Sequence, residues 1–88
     1  MYYSIEVVKA RYLKDYEVVL TFNTGEIKIV DLKNQLYGEV FEPLKDLSLF
    51  MQFKVDKELG TISWPNGADI APYSLYDLGE VIETEQKS

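Results

Sequence analysis

The stretch Tyr16-Glu17-Val18-Val19-Leu20-Thr21-Phe22, followed by Asn23-Thr24-Gly25 and then Glu26-Ile27-Lys28-Ile29-Val30, leaves this chain few options. Tyr16, Val18, Leu20 and Phe22 recur at period two, so an extended backbone places all four on one face and buries that face. Asn23-Thr24-Gly25 is a short loop with glycine placed for a left-handed residue, the chemistry of a hairpin turn. The return strand also alternates, and its apolar Ile27 and Ile29 are predicted to point inward. A hairpin of this kind commits the chain to an antiparallel sheet.

The other elements are read around that hairpin. Ile5 to Arg11 is predicted as a preceding strand, with Lys14-Asp15 as the turn. Asp31 can cap a short helix over Leu32 to Tyr37 that Gly38 ends. Pro43 breaks the next region, and Asp46 opens a second helix through Leu47, Leu49, Phe50 and Met51. Phe53 to Asp56 and Thr61 to Trp64 are two further strands, joined by a turn over Lys57 to Gly60. Pro65 has no backbone N–H and stops the strand that ends at Trp64. Asn66-Gly67 then supplies a tight turn. Pro72 suits the first turn of a helix running to Leu78. The order β-β-β-α-α-β-β-α predicts an α+β domain with a small, mainly antiparallel sheet and short helices. Residues 1–79 form this single domain. Residues 80–88 are acidic and predicted to fray.

Several chemistries are excluded by residue type. The 88 residues contain no His and no Cys. That removes Ser-His-Asp and Cys-His catalysis, disulfides, and the usual ligands of zinc or iron. Asp56 to Gly60 is no calcium loop: its Gly comes one position early, no Glu stands at the twelfth position, and the flanks read as strands rather than helices. Gly67-Ala68-Asp69 lacks the lysine and glycines of a phosphate loop. No catalytic residue, metal or cofactor is therefore predicted. No apolar run is long enough to span a membrane, and the N-terminus lacks a signal-peptide pattern. The chain is read as cytoplasmic. Its net charge is −6, half of it in the last twelve residues. The bases are scattered among acids, so direct nucleic-acid binding by the chain alone is disfavoured.

Two groups of residues remain as candidates. The first is the loop Trp64, Pro65, Asn66, Gly67 and Asp69. Asp69 can act as a ligand-binding acid or general base. It can equally cap the loop and the following helix with its short acceptor side chain. Trp64 can be a recognition platform, or a core-edge residue whose N–H is hydrogen-bonded. The second group is tyrosine: of the seven in the chain, Tyr2, Tyr3 and Tyr12 are interface candidates, because tyrosine offers large contact area at small entropic cost.

The string Trp64-Pro65-Asn66-Gly67-Ala68-Asp69-Ile70-Ala71-Pro72, followed by Leu75-Tyr76, resembles the W-P-N-G-x-D signature of a small bacterial family, domain of unknown function 2442. Leu20 to Glu26 resembles that family's L-x-F-x-D/N-G-E hairpin, and Val40 to Asp46 its V-F-x-P-L-x-D segment. Val55-Asp56 and Gly60 to Trp64 complete a resemblance over residues 4 to 77. It implies a compact α+β domain and no assigned activity. Some relatives carry a helix-turn-helix after this domain, and this sequence, ending at Ser88, is expected to have none. Other relatives lie beside a gene for a second small protein, as toxin–antitoxin pairs do.

The expectation is a non-catalytic interaction domain, the acidic member of a two-protein regulatory or toxin–antitoxin-like pair, with a small basic protein as partner. The alternative is a small-molecule-binding or weakly catalytic domain with a carboxylate site around Asp69. The sequence sets no oligomeric state.

Overall fold

The computed structural model describes residues 4–84. Its centre is a four-stranded antiparallel sheet in the order β1-β2-β3-β6, formed by β1 (Val7–Lys14), β2 (Glu17–Phe22), β3 (Glu26–Asp31) and β6 (Glu80–Thr84). A second sheet is the hairpin of β4 (Lys54–Asp56) and β5 (Thr61–Ser63). Between the two lie 3-10 turns at Lys33–Gln35 and Glu42–Lys45 and the one-turn helix α1 (Leu47–Phe50). Helix α2 (Pro72–Leu78) connects β5 to β6. The class is α+β, mostly β.

The first strand starts and ends later than expected, at Val7–Lys14 rather than Ile5–Arg11. Val7 N–H donates to the Gly60 carbonyl at 2.9 Å, which ties this strand to the second hairpin. The predicted helix over Leu32 to Tyr37 shortens to one 3-10 turn. Leu32 and Leu36 are both drawn into the core, which leaves little room for a regular helix. Asp46 caps α1 as expected, accepting from Ser48 N–H at 3.0 Å. Pro72 opens α2.

Two expectations are corrected. Ile27 and Ile29 do not face the core; Lys28 and Val30 do. The register places Leu20 opposite Lys28 and Val18 opposite Val30, and directly paired residues share a face. Ile27 and Ile29 stand opposite Thr21 and Val19 on the other side of the sheet. The second correction concerns Glu80–Thr84, where composition predicts a frayed chain. These residues form β6, pairing antiparallel with β3 from Glu26↔Thr84 to Ile29↔Glu80. The open edge of β3 offers a row of N–H and C=O groups, and backbone pairing to it is indifferent to the acidic side chains. The last predicted tail residues, 85–88, lie outside the described residues.

The core lies on one side of the main sheet. Val7, Val18, Leu20, Phe22 and Val30 pack against Leu32, Leu36, Leu44, Phe50, Ile62, Trp64 and Leu75 from the turns, the second hairpin and α2. Phe50 sits at the middle, with Tyr12, Tyr16, Phe53 and Trp64 around it at centroid distances of 5.3–6.3 Å. Lys28 is only 6% exposed on this apolar face. Its stem packs under α2 while its ammonium donates to the Tyr76 carbonyl at 2.6 Å and sits 3.4 Å from the Tyr76 ring centroid. A cation at the last turn of a helix satisfies a carbonyl that has no partner within the helix. Among the described residues no helix is long and apolar enough to cross a membrane.

Candidate functional site

The segment after β5 folds back on itself. Trp64 N–H donates to the Ala68 carbonyl and Gly67 N–H to the Trp64 carbonyl, both at 2.9 Å, which closes a three-residue loop of Pro65, Asn66 and Gly67. Gly67 holds φ +91°, the left-handed residue that ends such a loop. Pro65 precedes it with φ preset for the turn. Ser63 and Asp69 then form an isolated antiparallel bridge. Thr61 Oγ1 donates to the Ile70 carbonyl at 2.5 Å, holding the outgoing strand against β5.

Within this loop each candidate has a distinct place. Trp64 is 3% exposed and its indole N–H donates to the Phe50 carbonyl at 2.8 Å. It is a core residue and presents no open platform. Asn66, exposed, makes the tertiary attachment: its side-chain amide donates to the Val40 carbonyl at 2.9 Å and its oxygen accepts from Ala68 N–H at 3.1 Å. Asp69 does not cap α2. The residue at that cap is Ala71, with no side-chain hydrogen bond. Among the described residues Asp69 makes no side-chain hydrogen bond, and its carboxylate stands exposed. Asn66 thus does the closing that Asp69 was expected to do.

Asp69 lines a groove of about 300 Å³ with Gln35, Tyr37, Phe41, Ile70, Ala71 and Ser74. The 3-10 turn at Lys33–Gln35 and the chain through Phe41 form one wall, and the start of α2 forms the other. Phe41 is fixed edge-on to Trp64 at 6.5 Å, so the buried indole positions one groove wall. Tyr37 is 69% exposed at the rim, and Tyr73 is exposed on α2 nearby in sequence to the groove's Ser74. The lining carries one negative charge and no positive one. It offers a carboxylate, two aromatic rings, two hydroxyls and an amide, which suits capture of a cation rather than acid–base chemistry. Among the described residues no cluster of three carboxylates could hold a metal ion.

The tyrosines divide differently from the sequence expectation. Tyr12 is half-buried on the core face of β1, its ring edge-on to Phe50. Tyr2 and Tyr3 lie outside the described residues. Tyr37 and Tyr73 were missed. Tyr37 follows a single 3-10 turn and Tyr73 stands in the first turn of the seven-residue α2, and elements this short give no periodicity that separates an exposed ring from a buried one.

A second polar group lies between β3 and α2. Tyr76 OH donates to Glu26 Oε1, and Thr24 Oγ1 donates to the same oxygen at 2.9 Å. The Tyr76 hydroxyl chiefly, then Thr24 and the nearby Lys28 charge, hold the Glu26 carboxyl below the usual range, against a smaller opposing effect of burial. This group ties α2 to the hairpin loop.

The model of a family described as "Protein of unknown function (DUF2442)" matches residues 7–80. No curated protein and no solved structure matches the chain.

Proposed function

The chain belongs to the DUF2442 family, and from that premise we propose that it is a non-catalytic interaction domain of the cytoplasm, the acidic member of a two-protein regulatory or toxin–antitoxin-like pair. The observation that carries this reading is the groove, in which Tyr37, Phe41 and Asp69 converge without a basic residue. A partner's lysine or arginine can lay its stem or guanidinium plane on the rings and its charge against the carboxylate. The net charge of −6 supports a basic partner, because opposite charge speeds encounter and suppresses wrong partners. The same charge opposes unaided binding to duplex DNA.

The test is affinity purification from the native cell with mass spectrometry, run in parallel on the wild type and a Tyr37→Ala/Asp69→Asn variant. A basic protein retained by the wild type and lost from the variant supports the reading. A partner held equally by both overturns the assignment of the groove. The alternative, a small-molecule site around Asp69, draws on the same groove, whose volume is at the lower end for ligand pockets. A small cation that raises the melting temperature of the isolated wild type, but not of Asp69→Asn, would favour it.

A further inference from the structure

The face of the main sheet opposite the core has no covering layer among the described residues, and its side chains follow a rule. The register aligns Lys9 with Thr21, Thr21 with Ile27, and Ile27 with Glu83. It likewise aligns Arg11 with Val19, Val19 with Ile29, and Ile29 with Glu80. Each transverse row therefore reads base, small or branched residue, isoleucine, acid. The irregularity between Ile27 and Lys28 adds a bulged residue in β6, and Ile82 joins Glu83 against this face. The result is a concavity of about 510 Å³ with Val19, Thr21, Ile27 and Ile82 as its floor, and with Arg11 and Glu83 on opposite margins. Val19 and Thr21 are 5% and 8% exposed although no described element covers them, whereas Ile82 at the β6 side is 49% exposed.

We infer that this face is the contact surface of a homodimer, in which a second copy packs its own outer sheet face against it. A two-fold axis parallel to the strands lays each row on the same row of the partner, reversed. Arg11 then meets the acid at position 80, and the isoleucines meet Val19 and Thr21. Charge decides the occupant. A uniformly basic partner would be repelled along the β1 margin, and a uniformly acidic one along β6. A second copy carries the complement of both by symmetry, as an isologous interface requires. Face-to-face packing of two antiparallel sheets with nearly aligned strands is an established way to bury such floors. The groove at Asp69 is built from the core side of the sheet and stays open in this dimer.

The test is sedimentation velocity on the full chain across micromolar to sub-millimolar concentrations, at low and high salt. The wild type is expected to form a dimer that weakens as salt rises. Arg11→Glu and Glu80→Arg, both at exposed positions, are each expected to weaken it by about tenfold or more. The double variant Arg11→Glu/Glu80→Arg restores the pairing in reverse and is expected to recover most of the loss. Circular dichroism confirms that each variant keeps the fold. A wild type that stays monomeric throughout would overturn the inference. So would a dimer indifferent to both single reversals, or a double variant no better than either single one.

Discussion

Gly79→Ala is the substitution that most directly tests how α2 is joined to the sheet. Gly79 has an ordinary backbone conformation, φ −83°, so alanine adds no dihedral strain there. The difficulty is space. A Cβ at this position would lie 2.9 Å from Lys28 Cβ and 3.0 Å from both Lys28 Cδ and Val30 Cγ2. Carbon atoms pack at about 3.5–4.0 Å, so the end of α2 must move away from β3 by about 0.5–1 Å. Neither neighbour yields easily. Val30 is fully buried, and the Lys28 stem is held at its far end by the Tyr76 carbonyl. Overpacking of this kind costs about 1–3 kcal/mol, and the stiffer unfolded chain returns about 0.4–1 kcal/mol, leaving a net loss of about 1.3 kcal/mol at the middle of the two ranges. Gly67→Ala is the control with the opposite cause: φ is +91° and nothing lies within 4 Å, so its loss, on the order of 1 kcal/mol, is backbone strain alone. Urea unfolding followed by the fluorescence of Trp64 reads both. In thermal melts each kcal/mol corresponds to a drop of about 4–8 °C for a domain of this size. The decisive comparison adds Val30→Ala, which opens room beside Gly79. Its loss and that of Gly79→Ala should sum to more than the loss of the double variant. An unchanged midpoint for Gly79→Ala, or strict additivity with Val30→Ala, would refute the packing argument.

Trp64→Phe leaves the Phe50 carbonyl without its indole donor and opens a gap beside Phe41; a loss of about 2–4 kcal/mol in urea unfolding is expected, followed by circular dichroism since the fluorophore is gone. Tyr76→Phe removes the main cause of the lowered Glu26 carboxyl. A carboxyl whose folded value is depressed stabilises the fold above its unfolded value, about 4.3, and that contribution is lost as pH falls through the folded value. The stability gap between wild type and Tyr76→Phe should therefore be full at pH 7 and shrink below about pH 4.3, and a gap that stays constant into acid would count against the carboxylate. Gel-shift assays with duplex DNA should show no salt-sensitive complex with the isolated chain, consistent with its net charge of −6.

The sequence made local chemistry legible and left tertiary choices hidden. The β2–β3 hairpin, the Asp46 cap and the span Pro72–Leu78 rest on turn and cap residues that act within a few positions, and they were readable for that reason. The facing of β3 was misread because Ile27 and Ile29 are its more apolar pair. Yet the signal was present. A three-residue loop at 23–25 forces Leu20 opposite Lys28, so a β2 face of Val18 and Leu20 implies a β3 face of Lys28 and Val30. β6 carried no such signal: all five of its residues are exposed, so it shows neither alternation nor an apolar run. At the site, Asn66 and Asp69 are both short polar residues in a turn, and only the distant Val40 carbonyl distinguishes their roles.

The buried lysine of β3 bears on how the chain emerges from the ribosome. Glu26 and Tyr76 lie 50 positions apart, and the strand that covers the β3 edge follows later still. At about 5–20 residues per second, that edge waits roughly 2.5–10 s for its neighbour. Throughout the wait Lys28 is a hydrated ammonium in the middle of an open strand, and an inward-pointing charge discourages pairing with another nascent chain. Once α2 arrives, its last turn and the Tyr76 ring take the ammonium in place of water. One side chain thus acts first as a guard of the unfinished sheet and later as a fastening of the finished one.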